Sequence, residues 1–220
     1  MTAYFVTATG TGLGKTYLTC GLIEALKRRD VAVDAVKPVI SGFEDDAAEE
    51  SDTGLILRAL GLPIDAPRIA EISPWRFRAA LSPDMAAARE NKNIALNDLV
   101  DFCQSAMAVD DGLCLIEGAG GVMAPIGRAY TNLDLICALD VRILLVAGTY
   151  LGTISHTLTA CEALAARGRE PWAVVLSESE DSPVGAGELA QSIGRFVAAP
   201  IYLLPRDAAA PEDLADAMLG

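Results

Sequence analysis

The sequence predicts an α/β fold, a parallel β-sheet flanked by helices on both faces. Three observations predict it. Short β-branched or aliphatic runs alternate with longer helical patterns along the chain. The runs Leu113 to Ile116 and Ile143 to Val146 are apolar at consecutive positions, as a strand covered on both faces requires. A Gly-rich segment joins the first strand to the first long helix. Repeated βα units of this kind give a parallel sheet whose ligands gather at the carboxyl ends of the strands.

The elements follow in order. A strand is expected near Ala3 to Thr7, a helix near Lys15 to Arg28, a strand near Ala32 to Val36 and a helix near Thr53 to Leu60. The acidic run Glu44 to Glu50 between them reads as solvated surface, an exposed loop or a helix start. Further on come a helix near Leu96 to Met107, a strand at Leu113 to Ile116 and a helix near Leu133 to Leu139. A strand at Arg142 to Val146 and a helix near Thr153 to Ala166 continue the series. A strand at Ala173 to Leu176, a helix near Gly187 to Phe196 and a strand at Ile201 to Leu204 complete it. Only a short tail is expected after Leu204.

Residues Ala8-Thr9-Gly10-Thr11-Gly12-Leu13-Gly14-Lys15-Thr16 sit where a phosphate-binding loop belongs, between a strand and a helix N-terminus. Small residues let backbone N–H groups close around phosphate oxygens. Lys15 can reach the outer phosphates, and the Thr16 hydroxyl can ligate Mg2+ where the helix dipole favours anions. The strict pattern asks for Gly at position 9, where the chain has Thr9. A dinucleotide fingerprint fails, because Lys15 stands where its third Gly belongs. The fold is therefore expected to be of P-loop NTPase type, handling a nucleoside triphosphate.

Three more residues fall at strand ends or helix starts. Lys37 directly follows the second strand and can face bound phosphate, or it can be a lysine snorkelling at the surface. Glu117 follows the strand Leu113 to Ile116 and opens the small-residue run Glu117-Gly118-Ala119-Gly120-Gly121, where a carboxylate could hold Mg2+ opposite Thr16. Asp52, after Ser51, is either a second metal carboxylate or an acid at a helix N-terminus.

At 220 residues with 52% hydrophobic and 21% charged residues, the chain is expected to form one domain spanning residues 1–220. A formal charge of -13 and a pI near 4.4 argue against nucleic acid or an anionic membrane as partner, since both need clustered Lys and Arg. Neither a signal-peptide pattern nor an apolar run of membrane-spanning length is found, so a cytoplasmic protein is expected. Five cysteines, Cys20, Cys103, Cys114, Cys137 and Cys161, lie scattered in apolar stretches and read as buried thiols. The lone His156 has no partner at metal-ligand spacing.

Taken together, these segments resemble the dethiobiotin synthetases of the P-loop NTPase class. That family's loop reads roughly Gly-Thr-Asp-Thr-x-Val-Gly-Lys-Thr, and Ala8 to Thr16 follow it with Ala8 for the first Gly, Gly10 for Asp and Leu13 for Val. Lys37-Pro38-Val39, Ser41-Gly42, Ser51-Asp52, Ser82-Pro83 and Glu117 to Gly121 match as well, and Leu151-Gly152-Thr153-Ile154-Ser155-His156 resembles the family's Leu-Gly-x-Ile-Asn-His. The resemblance implies ATP-dependent closure of a cyclic urea: 7,8-diaminononanoate and CO2 form a carbamate, the γ-phosphate activates it, and the second amine displaces phosphate.

It also implies roles. Lys15 and Lys37 would be catalytic, and Thr16, Asp52 and Glu117 would hold Mg2+, forming an electrostatic cage for phosphoryl transfer. The nucleotide would meet Gly12, Leu13, Gly14, Lys15, Thr16, Tyr17, Ser177 and Pro205. Thr11, Ser41 and Gly118 would meet the reacting end of the substrate. Gly152, Thr153 and Ile154 would offer helix N-terminal amides to the substrate carboxylate from the partner subunit of a homodimer. Departures from the family pattern are Ser177 for a common Asn that reads adenine, Gly12 for a frequent acid, Ser155 for Asn, and Asp84 where His often follows Ser-Pro. Loose base selectivity is expected from Ser177, and a helix-capping role from Asp84.

The main alternative is a nucleotide-switch ATPase of the ParA/MinD type. Its loop usually carries an extra lysine near the start, where this chain has Gly10 and Thr11.

Overall fold

A strand buried at consecutive positions must be covered on both faces, and β1 (Thr2–Ala8), buried from Ala3 to Ala8, shows how the molecule satisfies this. In the computed structural model, which describes residues 2–108, 112–206, 208 and 212–220, Ala3 and Phe5 enter one hydrophobic core while Tyr4, Val6 and Ala8 enter another. The alternation of side chains along a strand divides them.

The chain runs β1, α1 (Lys15–Lys27), β2 (Val33–Val36), β3 (Val39–Ser41), a 3-10 helix (Asp45–Glu50), α2 (Asp52–Leu60) and α3 (Ala66–Ile72). It continues through β4 (Trp75–Phe77), α4 (Pro83–Arg89), α5 (Leu96–Met107), β5 (Leu113–Glu117), β6 (Pro125–Gly127), β7 (Tyr130–Thr131) and α6 (Asn132–Ala138). β8 (Arg142–Gly148), α7 (Thr153–Ala165), β9 (Ala173–Ser177), α8 (Ala186–Ile193), β10 (Ile201–Leu204) and α9 (Glu212–Leu219) follow.

Six strands form one sheet in the order β10-β9-β8-β1-β5-β2, and every pairing in it is parallel. All twelve elements expected from the sequence are present with boundaries shifted by a few residues. The acidic run forms the 3-10 helix, exposed apart from Ala48.

Several elements were not foreseen. The two-stranded pairs β3-β4 and β6-β7 are only two or three residues per strand. The segment after Leu204 is more than a tail: α9 buries Leu214, Ala215 and Met218 in the core on the α1 side, and Arg28 and Arg29 pair with Glu212 and Asp216 on its exposed face. Among the cysteines only Cys103 and Cys114 are fully buried, whereas Cys20, Cys137 and Cys161 are partly exposed, correcting the expectation that all five are buried. Each of the five carries a free thiol.

Candidate active site

The sheet order places the site. From β1 the chain moves to β2, returns to insert β5 beside β1, and then crosses to β8 on the other side. Loops after β1 and β5 therefore diverge at the carboxyl edge, opening a crevice at the switch point. Thr11 through Tyr17, Lys37, Ser41 and Asp52 line a cleft there of about 680 Å3.

The phosphate loop gets its shape from left-handed backbone at Gly12 (φ 72) and Gly14 (φ 87), the latter serving as N-cap of α1. A side chain would be strained at either position. The loop is anchored by Thr9 N–H donating to Val146 O at 2.9 Å, so the N-terminus of α1 points into the cleft. Lys15 folds over the loop with Nζ 3.4 Å from Gly10 O and is 7% exposed.

Beneath the loop is a charge cluster. Glu117, the last residue of β5, is fully buried; its Oε1 accepts from Thr16 Oγ1 at 2.7 Å and from Lys37 Nζ at 2.6 Å. Lys37 also pairs with Asp52 Oδ2 at 3.0 Å. The snorkelling alternative for Lys37 does not hold, since the residue is 4% exposed. Burial alone would lower its ammonium pKa, but Glu117 and Asp52 outweigh burial and hold it above the ordinary value. For Asp52 burial pushes upward, and the Lys37 charge and hydrogen bonds from Lys37 and Thr16 bring its carboxyl below the usual range. Lys15 lacks such a close carboxylate partner. Burial and the Lys37 charge pull it down to about 8, against Glu117 and Asp52.

Asp52 is also the first residue of α2, while the N-cap is Ser51, whose hydroxyl accepts from Gly54 N–H at 3.1 Å. Asp52 thus takes the helix-start place that was one of its two expected roles, and it also pairs with Lys37. One member of the cluster escaped the sequence reading: Thr19, one turn after Thr16 on α1, is fully buried and donates to Glu117 Oε2 at 2.8 Å. The Thr-x-x-Thr spacing puts both hydroxyls on one helix face, and that spacing was the available signal.

Other expected site residues lie farther out. Gly118 follows Glu117 directly, and the next residues, Ala119 and Gly120, line the cleft. Ser177 ends β9 beside the phosphate loop; a Cβ built on Gly14 would lie 2.6 Å from its Oγ. Pro205 follows β10, in a segment tied to the start of α1 by a hydrogen bond from the Tyr17 hydroxyl to Ala208 O. Gly152, Thr153 and Ile154 are not in the cleft. They line a separate depression of about 1410 Å3 together with Leu151, Val184 and Phe196. His156, in the same helix, bonds through Nδ1 with the Tyr150 hydroxyl at 2.8 Å. Asp84 does not cap α4. Ser82 is the N-cap, and Asp84 Oδ1 is buried without a hydrogen-bond partner among the described residues.

Thr16, Asp52 and Glu117 offer only hard oxygen donors, and Thr16 and Glu117 are already within hydrogen-bond distance of each other. This donor set fits Mg2+, which takes few protein ligands and completes its shell with water and phosphate oxygens. Among the described residues no three His, Cys, Asp or Glu side chains cluster as a protein-only metal cage.

A parallel sheet of this order, with a glycine-shaped anion loop capping α1 and a buried Lys-Glu pair at the adjoining strand end, defines a P-loop nucleotide-binding protein. Solved structures agree at the level of fold alone. A ParA family ATPase from Chlorobium tepidum TLS aligns with a TM-score of 0.54 at 13% identity, covering 98% of this chain and 87% of that one. The cell division ATPase MinD from Pyrococcus furiosus aligns at 0.51 with 15% identity, covering 94% and 84%. An AAA domain family model matches residues 2–203. Sequence relatives narrow the class. The chain is 50% identical over 208 residues to the ATP-dependent dethiobiotin synthetase BioD of Caulobacter sp. (strain K31), covering 94% of this chain and 89% of the relative. It is 44% identical to the enzyme of the same description from Acidiphilium cryptum (strain JF-5), covering 92% and 93%. The chain belongs to the dethiobiotin synthetase family.

Proposed function

We propose that this protein is a cytoplasmic, single-domain ligase that uses ATP and Mg2+ to convert 7,8-diaminononanoate and CO2 into dethiobiotin, ADP and phosphate. The observation that carries this reading is Lys37, held between Glu117 and Asp52 beneath the phosphate loop, in a chain half identical to an ATP-dependent dethiobiotin synthetase.

The chemistry needs charge neutralisation and alignment more than an acid or a base. One substrate amine adds to CO2 to give a carbamate. A carbamate oxygen then attacks the γ-phosphorus, and ADP leaves. The second amine attacks the carbamoyl carbon, phosphate departs, and the amine protons pass to solvent. Loop amides from Gly12 to Thr16 and the α1 dipole hold the β-phosphate, and Lys15 swings from Gly10 O to the outer phosphate oxygens. Lys37 offsets the charge that develops on the transferring phosphoryl group. Thr16, Asp52 and Glu117 would hold Mg2+, which would supply Lewis-acid charge at the phosphates. Ser41, whose Oγ is buried without a partner among the described residues, and Thr11 would orient the amine and carbamate end. Ser177 and Pro205 would flank the base.

Gly152, Thr153 and Ile154 lie outside the cleft of their own chain, which favours a homodimer in which each α7 N-terminus binds the carboxylate of substrate seated on the partner. The depression around them exposes Leu151 and Phe196 at 86% and 69%. Such large apolar groups suit a covered surface.

The test is phosphate release from ATP with Mg2+ and bicarbonate, with and without 7,8-diaminononanoate, scoring dethiobiotin by mass. Diamine-dependent phosphate matched by ring product is the expected result. Hydrolysis indifferent to diamine, without product, would overturn the ligase reading in favour of a nucleotide switch.

A further inference from the structure

Behind the cleft a fully buried amide holds one wall in place. Asn132, the first residue of α6, has no solvent exposure. Its Nδ2 donates to Ala119 O at 2.7 Å and to Gly121 O at 2.8 Å. Both partners are carbonyl acceptors, so only the NH2 end of the amide can face them. Main-chain bonds complete the clamp: Asn132 N–H to Ala124 O at 3.1 Å, Leu133 N–H to Val122 O at 3.0 Å, and Val122 N–H to Ala8 O at 2.9 Å.

The segment so held presses against the phosphate loop. A Cβ added to Gly121 would lie 3.1 Å from Ala8 O and 3.2 Å from Gly10 N, and one added to Gly120 would lie 3.6 Å from Thr11 Oγ1. Ala119 and Gly120 themselves line the cleft. Alongside the main-chain bonds, two of the hydrogen bonds that hold this wall near Thr11 thus come from one side chain.

We propose that Asn132 is a positioning residue for the ligase reaction, fixing the Gly118 to Gly121 wall against the phosphate loop so that the carbamate and the γ-phosphate meet in line. The inference rests on the ligase reading above. In-line transfer tolerates little displacement, and a misplacement of about 1 Å can cost on the order of 10²-fold. Asn132 touches neither reactant and acts through the two carbonyls.

The experiment compares wild type with Asn132→Leu, which removes both donors at similar volume, Asn132→Ser, which can restore one, and Gly121→Ala, which crowds the same contact without touching the amide. Asn132→Leu is expected to lower kcat at least about tenfold and raise the diamine KM, with Asn132→Ser intermediate. ADP affinity should stay within about twofold, because the diphosphate is held by loop amides outside the clamp. Amide hydrogen exchange at Ala119 to Val122 should quicken in both Asn132 variants. A lowered melting temperature with kcat and KM unchanged per folded enzyme would reduce Asn132 to a structural residue and overturn the proposal. Should Asn132→Leu fail to fold, Gly121→Ala decides it, and wild-type kcat in that variant overturns the proposal. A wild type that makes no dethiobiotin would defeat the ligase reading instead, and unchanged exchange at Ala119 to Val122 in Asn132→Ser would then defeat the clamp.

Discussion

Thr16 and Glu117 stand 101 positions apart in the chain, and the Thr16 hydroxyl donates to the Glu117 carboxylate across 2.7 Å. One residue opens α1 and the other closes β5, so the bond joins the ends of two elements anchored on adjacent strands. The cation Lys37 meets the same Glu117 oxygen, making Glu117 the hub on which the phosphate loop and the lysine are both aligned.

Removing Lys37 should therefore have two separable effects. Lys37→Met is expected to reduce kcat by about 10²–10³-fold, the usual loss of one transition-state charge partner. It should also destabilise the fold by about 3–5 kcal/mol, because Glu117 is left buried and uncompensated. Adding Glu117→Gln should recover much of the melting temperature and none of the turnover. Calorimetry alongside steady-state kinetics checks both.

Lys15 predicts a pH dependence of nucleotide binding. In the free enzyme its ammonium titrates at about 8, and a bound polyphosphate favours the charged form. Above that pH, binding must draw in a proton, and affinity falls as pH rises through about 8. Below it, Lys15 is already charged and contributes no uptake. Titration calorimetry at about pH 9 in buffers of differing ionisation enthalpy should detect the uptake, and Lys15→Arg should abolish it.

Ser177 offers a hydroxyl where a carboxamide would present a paired donor and acceptor. Since its Oγ would lie 2.6 Å from a Cβ built on Gly14, a longer side chain must turn away from the loop, and in the proposed binding mode it would then meet the base. Ser177→Asn should raise the ratio of kcat/KM for ATP over CTP and GTP by about tenfold, one added hydrogen-bonded pair being worth about 1 kcal/mol or more. An unchanged ratio would show that base choice is made elsewhere.

Leu151 tests the shared site. Leu151→Asp places a charge on a surface that the homodimer would cover, so sedimentation should shift from dimer to monomer. Turnover should fall with it while ADP binding persists. A dimer that survives would leave the α7 N-terminus without its proposed partner.

The final helix can be weighed by Leu214→Ala. Leu214 is fully buried beside α1, and truncation in such a site costs about 2–5 kcal/mol. By contrast Glu212→Ala, at exposed ion pairs with Arg28 and Arg29, should leave the unfolding midpoint nearly unchanged. Denaturant titration of both variants gives the comparison.

The inner strands β5, β8 and β9 were legible because burial on both faces leaves an unbroken apolar run, as in Leu113 to Ile116, whereas the edge strands β2, interrupted by Asp34, and β10 were legible from their place in the βα alternation. β3 and β6 carry too few residues for any periodicity to register. α3 and α4 each begin with Pro at the first or second position, a start signal present in the sequence, but their short lengths hide the helical repeat. At the site, Lys15 and Thr16 were readable from local spacing alone. Lys37 and Asp52 stayed ambiguous, since burial of one and pairing of both depend on folding Lys37 onto Glu117. Thr19 offered only its spacing from Thr16 and Asn132 offered no signal, because their partners are carboxylate and carbonyl groups contributed by another part of the chain.

The placement of β1 at the middle of the sheet has a consequence for the order of assembly. Its Thr2 pairs with Leu113 and its Tyr4 with Arg142, so neither edge of the strand is satisfied by anything nearby in sequence. During synthesis the phosphate loop emerges early and must wait for β5 and then β8 before its anchoring bond to Val146 can form. Long-range pairings of this kind are slow to close. A ribosome-bound nascent chain should therefore acquire nucleotide affinity abruptly, once β8 has left the exit tunnel, rather than when the loop itself appears.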